Sequence, residues 1–146
     1  MAISQAMCTS FKKELLEGKH DFNSAGHTFK LALYSAAATL SAGTTNFTTS
    51  GEVVGAGYSS GGIELTKVDP TADGTVGITN FGTATFTAVS ITARGGLIYN
   101  TTTDGTSGTT NAVAVLDFSA DQTAVAGNFV VSFPTADGTS SILRVE

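Results

Sequence analysis

The side chains able to do chemistry are few and scattered. His20 and His27 lie seven residues apart, with Asp21 between them. Imidazoles and a carboxylate are metal ligands, and an imidazole beside a thiol activates it. His20, Asp21 and His27 are therefore a candidate metal set, and Cys8 with His20 a candidate nucleophile pair. Neither set is complete. A catalytic zinc needs three ligands in defined geometry, and no further candidate stands nearby. Cys8 falls between Met7 and Thr9 in a helical pattern, where a small buried thiol is ordinary packing. The structural reading is a solvated turn after a helix.

Glu52, Glu64, Asp117 and Asp121 are the acids that glycoside hydrolysis would pair across strands. Such clefts are lined by aromatics, yet the chain has no Trp and three Tyr, which also weakens a lectin reading, for which Tyr34, Tyr58 and Tyr99 are the available sugar platforms. GAGYSSGG at 55–62 looks like a phosphate loop, but it lacks GxGxxG spacing before a helix and a following Lys. Ser59-Ser60 does not spell the G-x-S-x-G elbow. These glycines read as turns and bulges. Asp69 and Asp73 lack the regular oxygen ligands and distal Glu of an EF-hand loop. Asn46-Phe47-Thr48 and Asn100-Thr101-Thr102 match the glycosylation sequon, which a Thr-rich chain produces by chance. No catalytic, metal or cofactor site is expected.

A length of 146 residues predicts one domain, 1–146. Charged residues make up 13%, about half the usual share, and Thr, Ser and Gly fill the gap, which favours strands and turns over disorder. With a net charge of -5 and Lys12-Lys13 as the longest basic run, the chain is a poor phosphate binder, so nucleic acid is not an expected partner. A single cysteine rules out an intrachain disulfide and fits a reducing compartment at synthesis. No 18-residue apolar run is present, so no membrane span is expected. Lys12, Lys13, Glu14 and Glu17 interrupt any signal-peptide core.

The elements that would position these groups read as follows. Ile3, Met7, Phe11 and Leu15 recur every four residues and predict an amphipathic helix over 3–17, with Ser4 as N-cap and Gly18 as stop. TFKLALY at 28–34 alternates and predicts a half-buried strand. Residues 35–50, almost all Ala, Thr, Ser, Gly and Asn, predict a long surface loop anchored by Leu40 and Phe47. Residues 51–68 predict a strand, a turn and a second strand; 69–74 a turn; 75–81 and 83–93 two more strands. The densest apolar material is GGLIYN, AVAVLDF and NFVVSF, read as a three-strand meander with a loop over 101–111 and a turn over 119–127. SILRV closes the chain. Eight or nine strands predict a mainly β, single-domain antiparallel β-sandwich of jelly-roll or immunoglobulin type, or a small barrel, with one N-terminal helix within 1–20 and strands and loops over 28–146.

LLEGKHDF leading into TFKLALY, then GEVVGAGYSSGGIELT, RGGLIYN, VLDFSADQTAVAGNFVVSFP and ILRV, form an order that resembles a group of small tailed-bacteriophage structural proteins. The resemblance spans roughly residues 10–145, and Ser119 stands where the group's DFG-like turn has a glycine. It implies a non-enzymatic virion protein, made in the host cytoplasm, that decorates and stabilises the capsid shell as a cement protein. The alternative it implies is a tail or fibre protein contacting the host surface. Expected partners are the major capsid protein lattice or neighbouring virion subunits, with a homo-oligomer, such as a trimer at three-fold positions. The contact candidates are the helix stripe Ile3, Met7 and Phe11 and the loop anchors Leu40 and Phe47, since core strands must keep their apolar faces inward.

Overall fold

The computed structural model describes residues 2–102 and 110–146. One helix, α1 (Thr9–Leu16), accompanies eight strands: β1 (Ala6–Met7), β2 (Phe29–Tyr34), β3 (Ile63–Glu64), β4 (Lys67–Asp73), β5 (Val76–Phe81), β6 (Ala84–Asn100), β7 (Asn111–Val131) and β8 (Leu143–Val145). They form two antiparallel sheets, in the orders β1-β7-β6-β2-β3 and β4-β5-β8. The fold is mainly β with one short helix near the N-terminus, as expected. The second sheet joins the core through Phe81, whose ring lies 6.0 Å from Phe29 and 5.7 Å from Phe133, and through the buried Leu143.

The central meander is a two-strand ribbon. AVAVLDF and NFVVSF belong to one 21-residue strand, β7, and residues 84–93 run on into GGLIYN as the 17-residue β6. The turn expected over 119–127 does not reverse the chain. Ser119 and Ala126 adopt positive φ (68° and 47°), and Ala88 on β6 does so too (52°). The ladder's register shifts between Phe86 and Val89, between Val89 and Ile91, and between Ala93 and Gly95. The turn-prone residues thus make bulges that twist the ribbon. Of the hairpin loop expected over 101–111, residues 103–109 lie outside the described residues.

The helix is shorter than its apolar stripe. Residues before Cys8 are extended: Ile3 bridges Leu40 in parallel, and β1 pairs with Ala114 and Val115 of β7. Cys8, with φ -65° and ψ 137°, takes the N-cap position, and its N–H donates to the Val113 carbonyl at 2.9 Å. Pairing onto a free sheet edge satisfies the backbone of residues 3–7, which a helix there would leave dependent on propensity alone. The far end is as expected. Gly18 (φ 73°) follows the C-cap, and the Lys19 and Gly18 N–H groups donate back to Glu14 and Leu15 in a Schellman closure.

β2 is buried on both faces instead of one. Ala32 and Tyr34 are as inaccessible as Phe29, Leu31 and Leu33. The cover comes from residues 35–50, which lie over the sheet with Leu40 at 1% exposure, and Tyr34 Oη donates to the Thr48 carbonyl at 2.6 Å. The expected turn over 69–74 is mostly strand β4. Pro70 sits in its register shift, where an edge strand tolerates a missing N–H, and the chain reverses at Asp73-Gly74. The glycine-rich 55–62 segment packs directly on the sheet: Gly62 has φ 78°, and a Cβ there would lie 1.8 Å from the Leu31 carbonyl oxygen.

Candidate functional site

Between α1 and the small sheet lies an open groove of about 400 Å³. Its apolar surface comes from Met7, Phe11, Leu15, Phe22, Ile78 and Leu143, and its polar rim includes His20, Asp21, Thr71 and Arg144. Each is placed by a local rule. β1 pairing aims Met7 inward; Phe11 is the one fully buried residue of α1. The Schellman turn then swings the chain back so that His20 and Phe22 meet the sheet. Phe22 stacks on Phe29 at 4.4 Å with an 8° tilt, and Phe11 meets Phe22 edge-on at 5.8 Å.

His20, on the groove's rim, belongs to a polar network that lies behind it. Asn100, fully buried at the end of β6, reaches His20 Nδ1 at 3.0 Å and His27 Nδ1 at 2.9 Å with its side-chain nitrogen. His20 Nε2 lies 3.3 Å from Glu14 Oε1, and Glu14 Oε2 accepts from Asn111 Nδ2 at 2.6 Å. Burial is the main cause holding the His20 ring below its ordinary pKa, opposed by the Glu14 carboxylate. The Lys67 ammonium donates to the His27 carbonyl.

The contact candidates divide. Ile3 and Leu40 face the core, and Phe11, 1% exposed, forms the floor of the groove. Met7 is half-buried and lines the groove. Phe47 is half-buried and stacked on Tyr99, with centroids 4.7 Å apart. Leu15, a member of the helix stripe, lines the groove as well, together with Phe22, Ile78 and Leu143, which the sequence does not mark as site residues. Ile78 and Leu143 read simply as strand residues, and only the meeting of α1 with β5 and β8 brings them together.

The chemistry candidates are also separated. His20 and His27 do converge, but on the Asn100 amide. Asp21 turns away and accepts from the N–H of Asn23 at 3.0 Å. Cys8 is buried, and burial together with the Glu14 charge pushes its thiol up to about 11. Glu52 accepts from Tyr58 Oη (2.8 Å), Ser60 Oγ (2.7 Å) and the Gly61 N–H (2.6 Å). Asp117 faces Arg94 Nε at 3.4 Å and accepts from the Ser119 N–H at 2.8 Å. Asp69 accepts from the Ser24 N–H at 2.5 Å and Asp73 from the Gly138 N–H at 2.7 Å. The three tyrosines, the aromatics available for a sugar, are taken up by the fold. Tyr34 and Tyr99 are buried, and burial raises the pKa of all three phenols, Tyr99 to about 12. Among the described residues no three His, Cys, Asp or Glu side chains gather at metal-binding range, and no helix is long and apolar enough to cross a membrane. Comparison with protein-family models, with curated proteins and with solved structures finds no match to this chain.

Proposed function

We propose that the chain is a non-enzymatic structural protein of a tailed-bacteriophage virion that decorates and stabilises the capsid shell. The motif order that resembles that group supports the reading, and one structural observation carries it: the outer edge of β7. β1 occupies that edge at Ala114 and Val115, and Gln5 Oε1 accepts the Asp117 N–H at 3.2 Å. Among the described residues no strand continues this row from Ser119 to Val131. The open stretch carries one charge, Asp121, and neither Lys nor Pro, while Val125 and Val130 are 80% and 53% exposed. Sheet edges left bare are normally guarded by several charges, proline or bulges; this one has a single charge and two bulges, which leaves short runs open to strand addition by a neighbour.

The occupant is an extended segment of the major capsid protein, continuing the row that β1 begins. Bulges at Ser119 and Ala126 limit straight pairing to short runs, so each contact is weak. A symmetric lattice repeats it, and homo-oligomers such as trimers add their edges together. Binding the assembled lattice and not its expanded or broken forms stabilises the shell by mass action. The test is co-sedimentation with undecorated capsids. Val125→Lys should weaken attachment several-fold without lowering the melting temperature of the free protein. Attachment at parent strength removes the β7 edge from the reading. A virion copy number that is a small fraction of the capsid protein's, with binding to host cells, moves the protein to the tail or a fibre.

A further inference from the structure

Two imidazoles share one buried amide. The Asn100 Oδ1 atom accepts the Thr102 N–H at 2.9 Å, which fixes the amide's orientation and turns its NH2 toward His20 and His27. Both Nδ1 atoms therefore accept, and each neutral ring carries its proton on Nε2. For His20 that tautomer is the one Glu14 requires, since Nε2–H can then donate to Oε1. The His27 Nδ1 atom also lies 3.4 Å from the Asp21 N–H, a second donor that agrees with an acceptor there.

A proton arriving at either Nδ1 converts an acceptor into a donor facing a donor. The surroundings give such a proton little help. His20 is enclosed by the rings of Phe11 (4.9 Å), Phe22 (6.4 Å) and Phe29 (6.2 Å). The charged and titratable groups around it are Glu14 from α1, Lys19 beside it in the chain, His27 across the amide, and Lys67 from β4 on the His27 carbonyl. Glu14 alone favours an imidazolium, and it does so through Nε2, so it leaves the clash at Nδ1 in place.

We propose that His20, Asn100 and His27 form a proton-operated latch: protonation at Nδ1 releases residues 20–27 from the Asn100 amide and loosens the groove wall that His20–Asn23 supply, while Thr28 stays tied to Thr101 and Thr102. The geometry makes the release local. His20, Asp21, Phe22 and Asn23 all line that groove. The β6–β7 ladder beyond Asn100 does not involve either ring.

The test uses the full chain. Nitrogen-15 spectra of the imidazoles near neutral pH should show both rings as Nε2–H tautomers. Hydrogen exchange, corrected for intrinsic rates, should show opening of 20–27 rising about tenfold or more between about pH 7.5 and about pH 5, with β2 unchanged. His20→Gln keeps an acceptor and a donor but cannot titrate, and should flatten most of that rise. An Nδ1–H tautomer on either ring, an unchanged 20–27 segment in acid, or a full rise in His20→Gln each overturns the latch. If His20→Gln does not fold, the ring tautomers and the exchange profile of the parent chain decide.

Discussion

Phe47→Ala separates two accounts of residues 35–50. If the segment is a surface loop, Phe47 is a free anchor and its loss spares the fold. In the structure the ring stacks on Tyr99 at 4.7 Å and 18°, and the Phe47 N–H donates to the Thr110 carbonyl at 2.8 Å. Truncating a fully buried Phe costs about 3–5 kcal/mol, so a half-buried one should cost about half of that, roughly 1.5–2.5 kcal/mol. The aromatic pair itself supplies about 0.5–1.5 kcal/mol of this. At about 3 °C per kcal/mol for a domain of this size, the melting temperature should fall by about 5–8 °C. The assay is a thermal melt followed by circular dichroism in the strand region. Phe47→Leu, which keeps most of the apolar contact and loses the stacking, should fall by about a third as much. A Phe47→Ala melt within about 1 °C of the parent would refute the packing argument. It would return Phe47 to the surface as a contact residue.

Three further outcomes follow from particular residues. Ala126 sits at φ 47°, where a Cβ is strained, so Ala126→Gly should stabilise the protein by about 1 kcal/mol; a lower melting temperature would show that its methyl group packs. The Cys8 thiol, buried and pushed up to about 11, should stay unreacted with a disulfide reagent at about pH 8 until denaturant is added; rapid labelling of the native protein contradicts its burial. Because burial holds folded His20 below the ordinary value of 6.5, the unfolded chain binds that proton more readily. Its contribution to stability is present above pH 6.5 and is lost as pH falls below it, so the melting temperature should begin to drop there and do so less in His20→Gln.

What could be read from the chain, and what could not, follows a physical line. The C-terminal end of α1 was legible because Gly18 answers a local demand for positive φ. Its start was not, because a period of four through Ile3 and Met7 cannot show that β7 offers a free edge to pair with. β2 was legible as a strand, but the burial of its second face depends on a loop of small residues with little hydrophobic signal. Ser119, Asp121 and Gly127 carry turn chemistry, and sequence alone does not say whether such residues reverse a strand or bulge it. His20 and His27 were visible as a pair. Their shared partner Asn100 lies 80 positions from His20, and its only signal was a polar residue closing an apolar run.

The acids show how the fold holds its long connections. No disulfide is available to a chain with one cysteine. Glu52 ties down the turn at Tyr58, Ser60 and Gly61; Asp69 and Asp73 fasten Ser24 and Gly138; Asp137 Oδ1 closes its own turn on Thr139 and Ser140; Glu14 joins α1 to His20 and Asn111. Glu52 and Asp137 take their positions from donors of their own turns, and Glu14, Asp69 and Asp73 from donors of segments packed against them. Two carboxylates that work on one substrate must instead face a common cleft and answer to each other's separation. Charge-assisted bonds to backbone amides are among the stronger hydrogen bonds, and losing the acceptor strands its donors. A chain that uses its sparse acids in this way stiffens its loops against the sheet. That suits a protein whose proposed work is to hold one shape while many copies are pressed into a shell.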